Sequence, residues 1–160
     1  MNLRSIPRDS DRAAVLAVVK ATGFFSGEEE AIAVELVDEA LARGPASGYE
    51  FLFADAPDQP EKILGYTCYG PIPGTQSSFD LYWIAVTPTG QGKGLGRRLL
   101  LATEEAARRR GATHIYADTS GQDKYVPTRA FYTRMGYQAE AVLRDYFAPG
   151  DDKILFSKAF

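Results

Sequence analysis

Between residues 81 and 111 the hydrophobic pattern changes period twice, and few architectures accommodate that. Leu81-Tyr82-Trp83-Ile84-Ala85-Val86 is a continuous apolar run, the pattern of a strand covered on both faces. A glycine-rich turn follows over residues 88–94. Leu95, Leu99, Ala102 and Ala106 then share one helical face, while Arg97, Arg98, Glu104, Glu105, Arg108 and Arg109 lie elsewhere. Basic residues 108–110 suit the negative end of the helix dipole, and Gly111 ends the helix. A buried strand that turns directly into an amphipathic helix implies a sheet with helices on its faces.

The remaining segments supply the layers. Residues 2–6 are expected as a short strand, and Asp9-Ser10 as the cap of a helix carrying Val15, Val18, Val19 and Thr22. Gly23 ends that helix. Ser26 and Glu29 form a capping box for a second one, and Glu28, Glu29 and Glu30 suit its positive end. Its stripe is Ala33, Leu36, Val37, Ala40 and Leu41, stopped by Gly44-Pro45. Strands are expected at 49–54 and 63–69 around a turn at 56–61, then a Pro/Gly/Ser loop at 70–78. A strand at 113–119 precedes a short helix opened by Pro127 and closed by Gly136. On its stripe Phe131 and Met135 are the core positions, so Tyr132 need not be core. Strands at 138–147 and 154–160 flank the turn Ala148-Pro149-Gly150-Asp151. The order β-α-α-β-β-β-α-β-α-β-β predicts one α/β domain over residues 1–160, a mixed and mostly antiparallel sheet of six to seven strands flanked by four helices.

Composition narrows the function. The chain has 160 residues, 18 Lys and Arg against 21 Asp and Glu, and a net charge of −3. That balance argues against nucleic acid as a partner, because phosphate neutralisation needs clustered cations. A single cysteine, Cys68, excludes an internal disulfide and reads as a buried apolar residue in a reducing compartment. One histidine, His114, in a strand away from the glycine turn, reads as structural, and with one Cys it makes no metal-ligand set. The longest uncharged run, residues 63–79, is broken by Gly65, Gly70, Pro71, Pro73 and Gly74 and cannot span a membrane. Arg4, Arg8, Asp9, Asp11 and Arg12 exclude a secretory signal. The expectation is a soluble cytoplasmic protein.

Gln91-Gly92-Lys93-Gly94-Leu95-Gly96 sits where a strand opens a helix. Free main-chain N–H groups there bind anions, phosphates above all. Glycines let a phosphate approach and permit positive φ, and Lys93, Arg97 and Arg98 add positive charge. A P-loop fails, since Lys93 is followed by Gly94 and Leu95. The dinucleotide pattern fails as well, because its third glycine falls on Leu95, Arg97 or Leu99.

Trp83-Ile84-Ala85-Val86, Pro88 and the turn from Gln91 to Gly96 resemble the acyl-CoA-binding motif of the GNAT superfamily of N-acetyltransferases, whose Q/R-x-x-G-x-G/A is matched by Gln91, Gly94 and Gly96. Thr128-Arg129-Ala130-Phe131-Tyr132-Thr133-Arg134-Met135-Gly136-Tyr137 resembles its second motif. The resemblance covers nearly the whole chain and is most specific from Asp80 to Tyr137. Tyr125 stands where the family often has an Asn that meets pantetheine, and Tyr137 replaces the usual closing Phe.

The resemblance implies acetyl transfer from acetyl-CoA to an amine without a covalent enzyme intermediate, in a fold whose central strands splay at the CoA slot. It assigns Ile84, Ala85 and Val86 to the acyl and pantetheine portion through their backbone, Gln91, Gly92, Lys93, Gly94, Leu95, Gly96 and Arg97 to the diphosphate, and Tyr125 to the cofactor. Tyr132 is implied as the acid that protonates the departing thiolate. Its reference pKa of about 10 suits that transfer. Asp80, at the entrance of the central strand, and Glu50 are candidate bases; Tyr82, Asp118 and Asp145 follow, and a water relay serves equally well. Two aromatic segments are candidate walls for a cationic amine: Phe24 and Phe25 between the first helices, and Asp145 and Tyr146 before the last turn, with Tyr82 on the central strand. The competing reading is a sensor or regulatory module that binds acyl-CoA without turnover. The edge strand near the C-terminus offers a place for a homodimer to pair.

Overall fold

The computed structural model describes residues 3–160, and Asn2 of the expected first strand lies outside the described residues. The elements follow the expected order: β1 (Leu3–Arg4), α1 (Asp11–Thr22), α2 (Gly27–Arg43), β2 (Glu50–Ala56), β3 (Gln59–Pro71), β4 (Ser78–Val86), α3 (Leu95–Arg109), β5 (His114–Ser120), α4 (Val126–Arg134), β6 (Gln138–Ala148) and β7 (Asp151–Ala159). Short 3-10 turns at Gly44–Ser47 and Asp123–Tyr125 precede β2 and α4. The strands form a seven-stranded mixed sheet in the order β1-β2-β3-β4-β5-β7-β6. β4 and β5 run parallel, whereas β1–β2, β2–β3, β5–β7 and β6–β7 are antiparallel. This is the α/β architecture expected. The chain groups into two compact units, one reaching Gly70 and resuming over Tyr82–Ala106, the other comprising Pro71–Leu81 and Ala107–Phe160.

In the first unit, side chains alternate across β3. Tyr66 and Cys68 join Val15, Val18 and Val19 of α1, Ala33 and Val37 of α2, and Phe51 and Phe53 of β2 in one core. Gly65 and Thr67 take the opposite phase. A Cβ on Gly65 would meet Leu99 Cδ1 at 3.2 Å, and Thr67 Oγ1 lies 2.8 Å from Thr103 Oγ1 of α3. α3 therefore covers the face that α1 and α2 leave open. A bulge interrupts the alternation: Ala54 pairs Gly65 and Asp55 pairs Ile63, so Leu64 has no opposite residue. The bulge returns Ile63 to the face of Tyr66.

The capping box on α2 forms as expected, with Glu29 N donating to Ser26 Oγ and Ser26 N to Glu29 Oε1. Ser10 makes no side-chain cap. Its neighbour Asp11 is buried instead, accepting from Arg8 N at 2.6 Å and from both Arg4 Nη atoms at 2.8 Å. Arg4 also donates to Asp55, so one guanidinium ties β1, β2 and α1. Three further expectations are corrected. The β2–β3 turn is tighter than residues 56–61, because β3 already begins at Gln59. β4 is not covered on both faces: Phe79, Leu81 and Ala85 are buried, but Tyr82, Trp83, Ile84 and Val86 stay partly open. Glu104 is buried with Leu100 and Ala107, its neighbours at i−4 and i+3 on α3.

In the second unit, β5 pairs β7 over seven positions from His114↔Ala159 to Ser120↔Lys153, while its ladder with β4 covers four, Ser78↔His114 to Leu81↔Ala117. β7 begins at Asp151, earlier than expected, and extends the hairpin with β6. Asp11→Ala removes one of the two carboxylates on Arg4, leaving Asp55, and takes the acceptor from Arg8 N, so urea unfolding is expected to show a loss of about 2 kcal/mol.

Candidate active site

The carbonyl of the bulge residue Leu64 anchors the start of the glycine turn, accepting from Thr87 N at 2.9 Å and from Thr87 Oγ1 at 3.0 Å. Gly90 N and Gln91 N then donate back to Thr87 O, and Gln91 Nε2 to Val86 O. The glycines divide by cause. A Cβ on Gly90 would lie 3.0 Å from Val86 Cγ1 and 3.2 Å from Leu64 O, so packing demands its absence. Gly92 and Gly94 have open space but positive φ, 72° and 74°. The first main-chain bond of α3 is donated by Arg98 N to Gly94 O, so the amides that open the helix have no acceptor within it. Gly92, Lys93, Gly94 and Arg97 are exposed. The start of a helix, with its positive dipole end beside two exposed cations, is a setting that favours negative charge.

In the second unit an open cleft of about 360 Å³ is lined by Ile72, Thr75, Ser78, Asp80, Tyr116, Asp118, Lys153 and Leu155. Parallel register sets Asp80 opposite Tyr116, one pleat from Asp118. Lys153 Nζ lies 2.8 Å from Asp118 Oδ2, and its ammonium sits 4.5 Å above the Tyr146 ring. Burial pushes the Asp80 carboxyl up to about 6; the Asp118 charge adds to the rise and Lys153 opposes it. A carboxyl at that value is partly ionised near neutrality, as a proton acceptor needs to be.

α4 ends in a Schellman arrangement: Tyr137 N donates to Tyr132 O at 3.0 Å, Gly136 N to Thr133 O at 3.1 Å, and Gly136 has φ 86°. The spacing Tyr-x-x-x-Gly-aromatic therefore places Tyr132 on the last turn and Tyr137 against it, with ring centroids 5.4 Å apart. Tyr132 also packs on Phe156. It is buried, whereas Phe131 and Met135 are only partly so. Tyr132, which helical spacing leaves free to lie off the core, is thus part of it, packed between Tyr137 and Phe156. Burial, then the Asp118 charge, push its hydroxyl above the ordinary tyrosine range, so it stays protonated at neutral pH. Arg129 holds the entry to this helix by donating to Ser120 O and Gln122 O.

The other expected residues scatter. Phe25 packs on Trp83 and Tyr82 on Tyr49, at the margin of the first unit's core, where Phe24 is half-buried. Glu50 opens β2. Tyr125 is half-buried under the Lys124 ammonium. Asp145 serves its own hairpin: with φ 53° it accepts from Gly150 N and donates its N–H to Asp152. His114 is exposed beside Thr113, and Cys68 is buried. Lys153 carried no signal in the sequence; it emerges only from the β5–β7 register. Among the described residues, no group of three or more His, Cys, Asp or Glu could hold a metal ion, and no helix is long and apolar enough to cross a membrane.

A model of the acetyltransferase (GNAT) family matches residues 23–137. The fold superposes on a crystal structure assigned as an acetyltransferase of the GNAT family from Desulfovibrio desulfuricans with a TM-score of 0.95, 47% identity, and coverage of 99% of this chain and 98% of that one. An aminoglycoside 6'-N-acetyltransferase complexed with coenzyme A shares the fold at a TM-score of 0.74 and 18% identity, over 99% of this chain and 97% of that one. The mycothiol acetyltransferase of Renibacterium salmoninarum is 28% identical over 118 residues, which is 72% of this chain; the match spans about a third, 34%, of that relative's length.

The two kinds of glycine make separable predictions for thermal or urea melts. Gly94→Asn retains most of the stability, because Asn tolerates the left-handed region, whereas Gly94→Ala costs about 1 kcal/mol. At Gly90 both substitutions cost about 1–3 kcal/mol, because the obstacle there is packing.

Proposed function

Because the chain belongs to the GNAT acetyltransferase family, we propose that it transfers the acetyl group of acetyl-CoA directly to a primary amine on a small-molecule or peptide acceptor. Family membership makes it an acyltransferase, and acetyl-CoA-dependent N-acetyl transfer is the family's general reaction. The observation that carries the proposal is the exposed glycine turn that opens α3, with Gly92 and Gly94 at positive φ and the helix's first amides lacking an acceptor within the helix.

In this reading the amides of Gly92, Lys93, Gly94, Leu95 and Gly96 accept the CoA diphosphate. Lys93 and Arg97 add charge, and Gln91 braces the turn. The half-open side of β4 leaves the main chain of Ile84, Ala85 and Val86 to the acyl and pantetheine portion, where an N–H polarises the thioester carbonyl. Tyr125 faces the cofactor. Acetyl-CoA supplies the acyl group as a thioester. An alkylammonium has a reference pKa of about 10 and must lose a proton before it attacks, and Asp80 takes that proton. Tyr132, held protonated, donates to the sulfur as it leaves. Phe24, Phe25, Tyr82 and Tyr146 offer aromatic surface to the acceptor. Residues 1–160 act as one domain, in the cytoplasm. The homodimer forms along β6, the outermost strand, whose Val142, Leu143, Tyr146 and Phe147 are exposed.

Calorimetry with coenzyme A is expected to show saturable binding, lost in Gly94→Glu, which sets bulk and negative charge among the amides. Tyr132→Phe is expected to lose about 100-fold or more in turnover while coenzyme A affinity changes little. Rate should climb as pH rises through about 6, where the Asp80 carboxyl ionises, and Asp80→Asn should abolish that limb. Coenzyme A binding without turnover on a broad amine panel would overturn the catalytic reading. Sedimentation equilibrium should read two chains, and one after Leu143→Glu.

A further inference from the structure

Proton transfer from an amine needs one carboxylate whose charge is not already spent on a neighbour. The cleft around Asp80 contains two carboxylates and one ammonium. Asp80 lies on β4, and the titratable groups facing it are Tyr116 and Asp118 of β5 and Lys153 of β7. Ile72 and Thr75 of the preceding loop bring no charge. The β5–β7 ladder pairs Asp118 with Leu155 and Ser120 with Lys153, so Lys153 stands one pleat along the same face. From there its ammonium reaches Asp118 Oδ2 at 2.8 Å with only 17% of its side chain exposed. Its other side is covered by the Tyr146 ring. Asp118 acts in three directions at once: on Lys153 through this bond, on Asp80, and on Tyr132 of α4.

Resting on the reading of Asp80 as the base, we propose that Lys153 is a positioning residue: it pins Asp118 in an ion pair and offsets its charge, so that Asp80 rather than Asp118 takes the proton of the acceptor amine. The pairing has a directional consequence. Without Lys153, the free Asp118 charge would hold Asp80 protonated to higher pH and leave two acids competing for the amine. Without Asp118, Lys153 would turn its charge on Asp80, keep it ionised to lower pH and weaken it as a proton acceptor.

The test follows the Asp80 carboxyl directly, by carbon-13 NMR of aspartate-labelled full-length protein, alongside the pH–rate profile with acetyl-CoA and a simple primary amine, phenethylamine. Lys153→Met is expected to raise the Asp80 midpoint and Asp118→Asn to lower it, each by about half a pH unit or more. The rate limb should move in the same two directions. Lys153→Arg should restore the wild-type midpoint, and the double variant should return close to it, because opposite charges are removed together. Midpoints unmoved in Lys153→Met and Asp118→Asn, or moved in the same direction in both, would overturn the proposal. Should Asp80→Asn keep full turnover, the base assignment fails, while the labelled carboxyl still decides whether Lys153 governs its charge.

Discussion

Two hydrogen bonds from Thr87 to the carbonyl of Leu64 hold together most of what is distinctive here. The carbonyl belongs to the bulge residue, where β3 carries one residue more than β2. The turn closes on Thr87, Gly90 slots against Leu64 and Val86, and α3 begins at Leu95. A strand irregularity and the glycine turn thus meet at one carbonyl.

The second unit is organised by charge. Asp118 stands between a carboxyl raised by burial and a tyrosine raised by burial, and it reinforces both. Alone it would be an unfavourable neighbour for each. Lys153 makes it tolerable, and the Tyr146 ring shields the ammonium. That tyrosine, read from sequence as wall for an acceptor, also supports the cation.

Much of this was legible in the residues because the signals were local. The Ser26–Glu29 box, the Gly-rich turn and the Tyr132-to-Gly136 spacing each specify their own geometry within a few positions. The element order followed from them. What escaped had non-local causes. The Leu64 bulge depends on how two strands align, and nothing in Lys62-Ile63-Leu64-Gly65 announces it. Helical phase left the burial of Tyr132 open, and it is settled by Tyr137 and by Phe156 of β7, which is distant in sequence. Asp145 looked like a free acid and is tied to Gly150 by the left-handed conformation of its own backbone. Lys153 meets Asp118 only through pairing with a strand more than thirty residues away in sequence.

Cys68 lies fully buried beside Tyr66, and its thiol is pushed up by that burial, far from the reactive thiolate form. It is the only sulfhydryl in the polypeptide. A disulfide reagent added to the native protein therefore meets almost nothing of its own, and any colour that develops during catalysis reports the mercaptan released from the acyl donor.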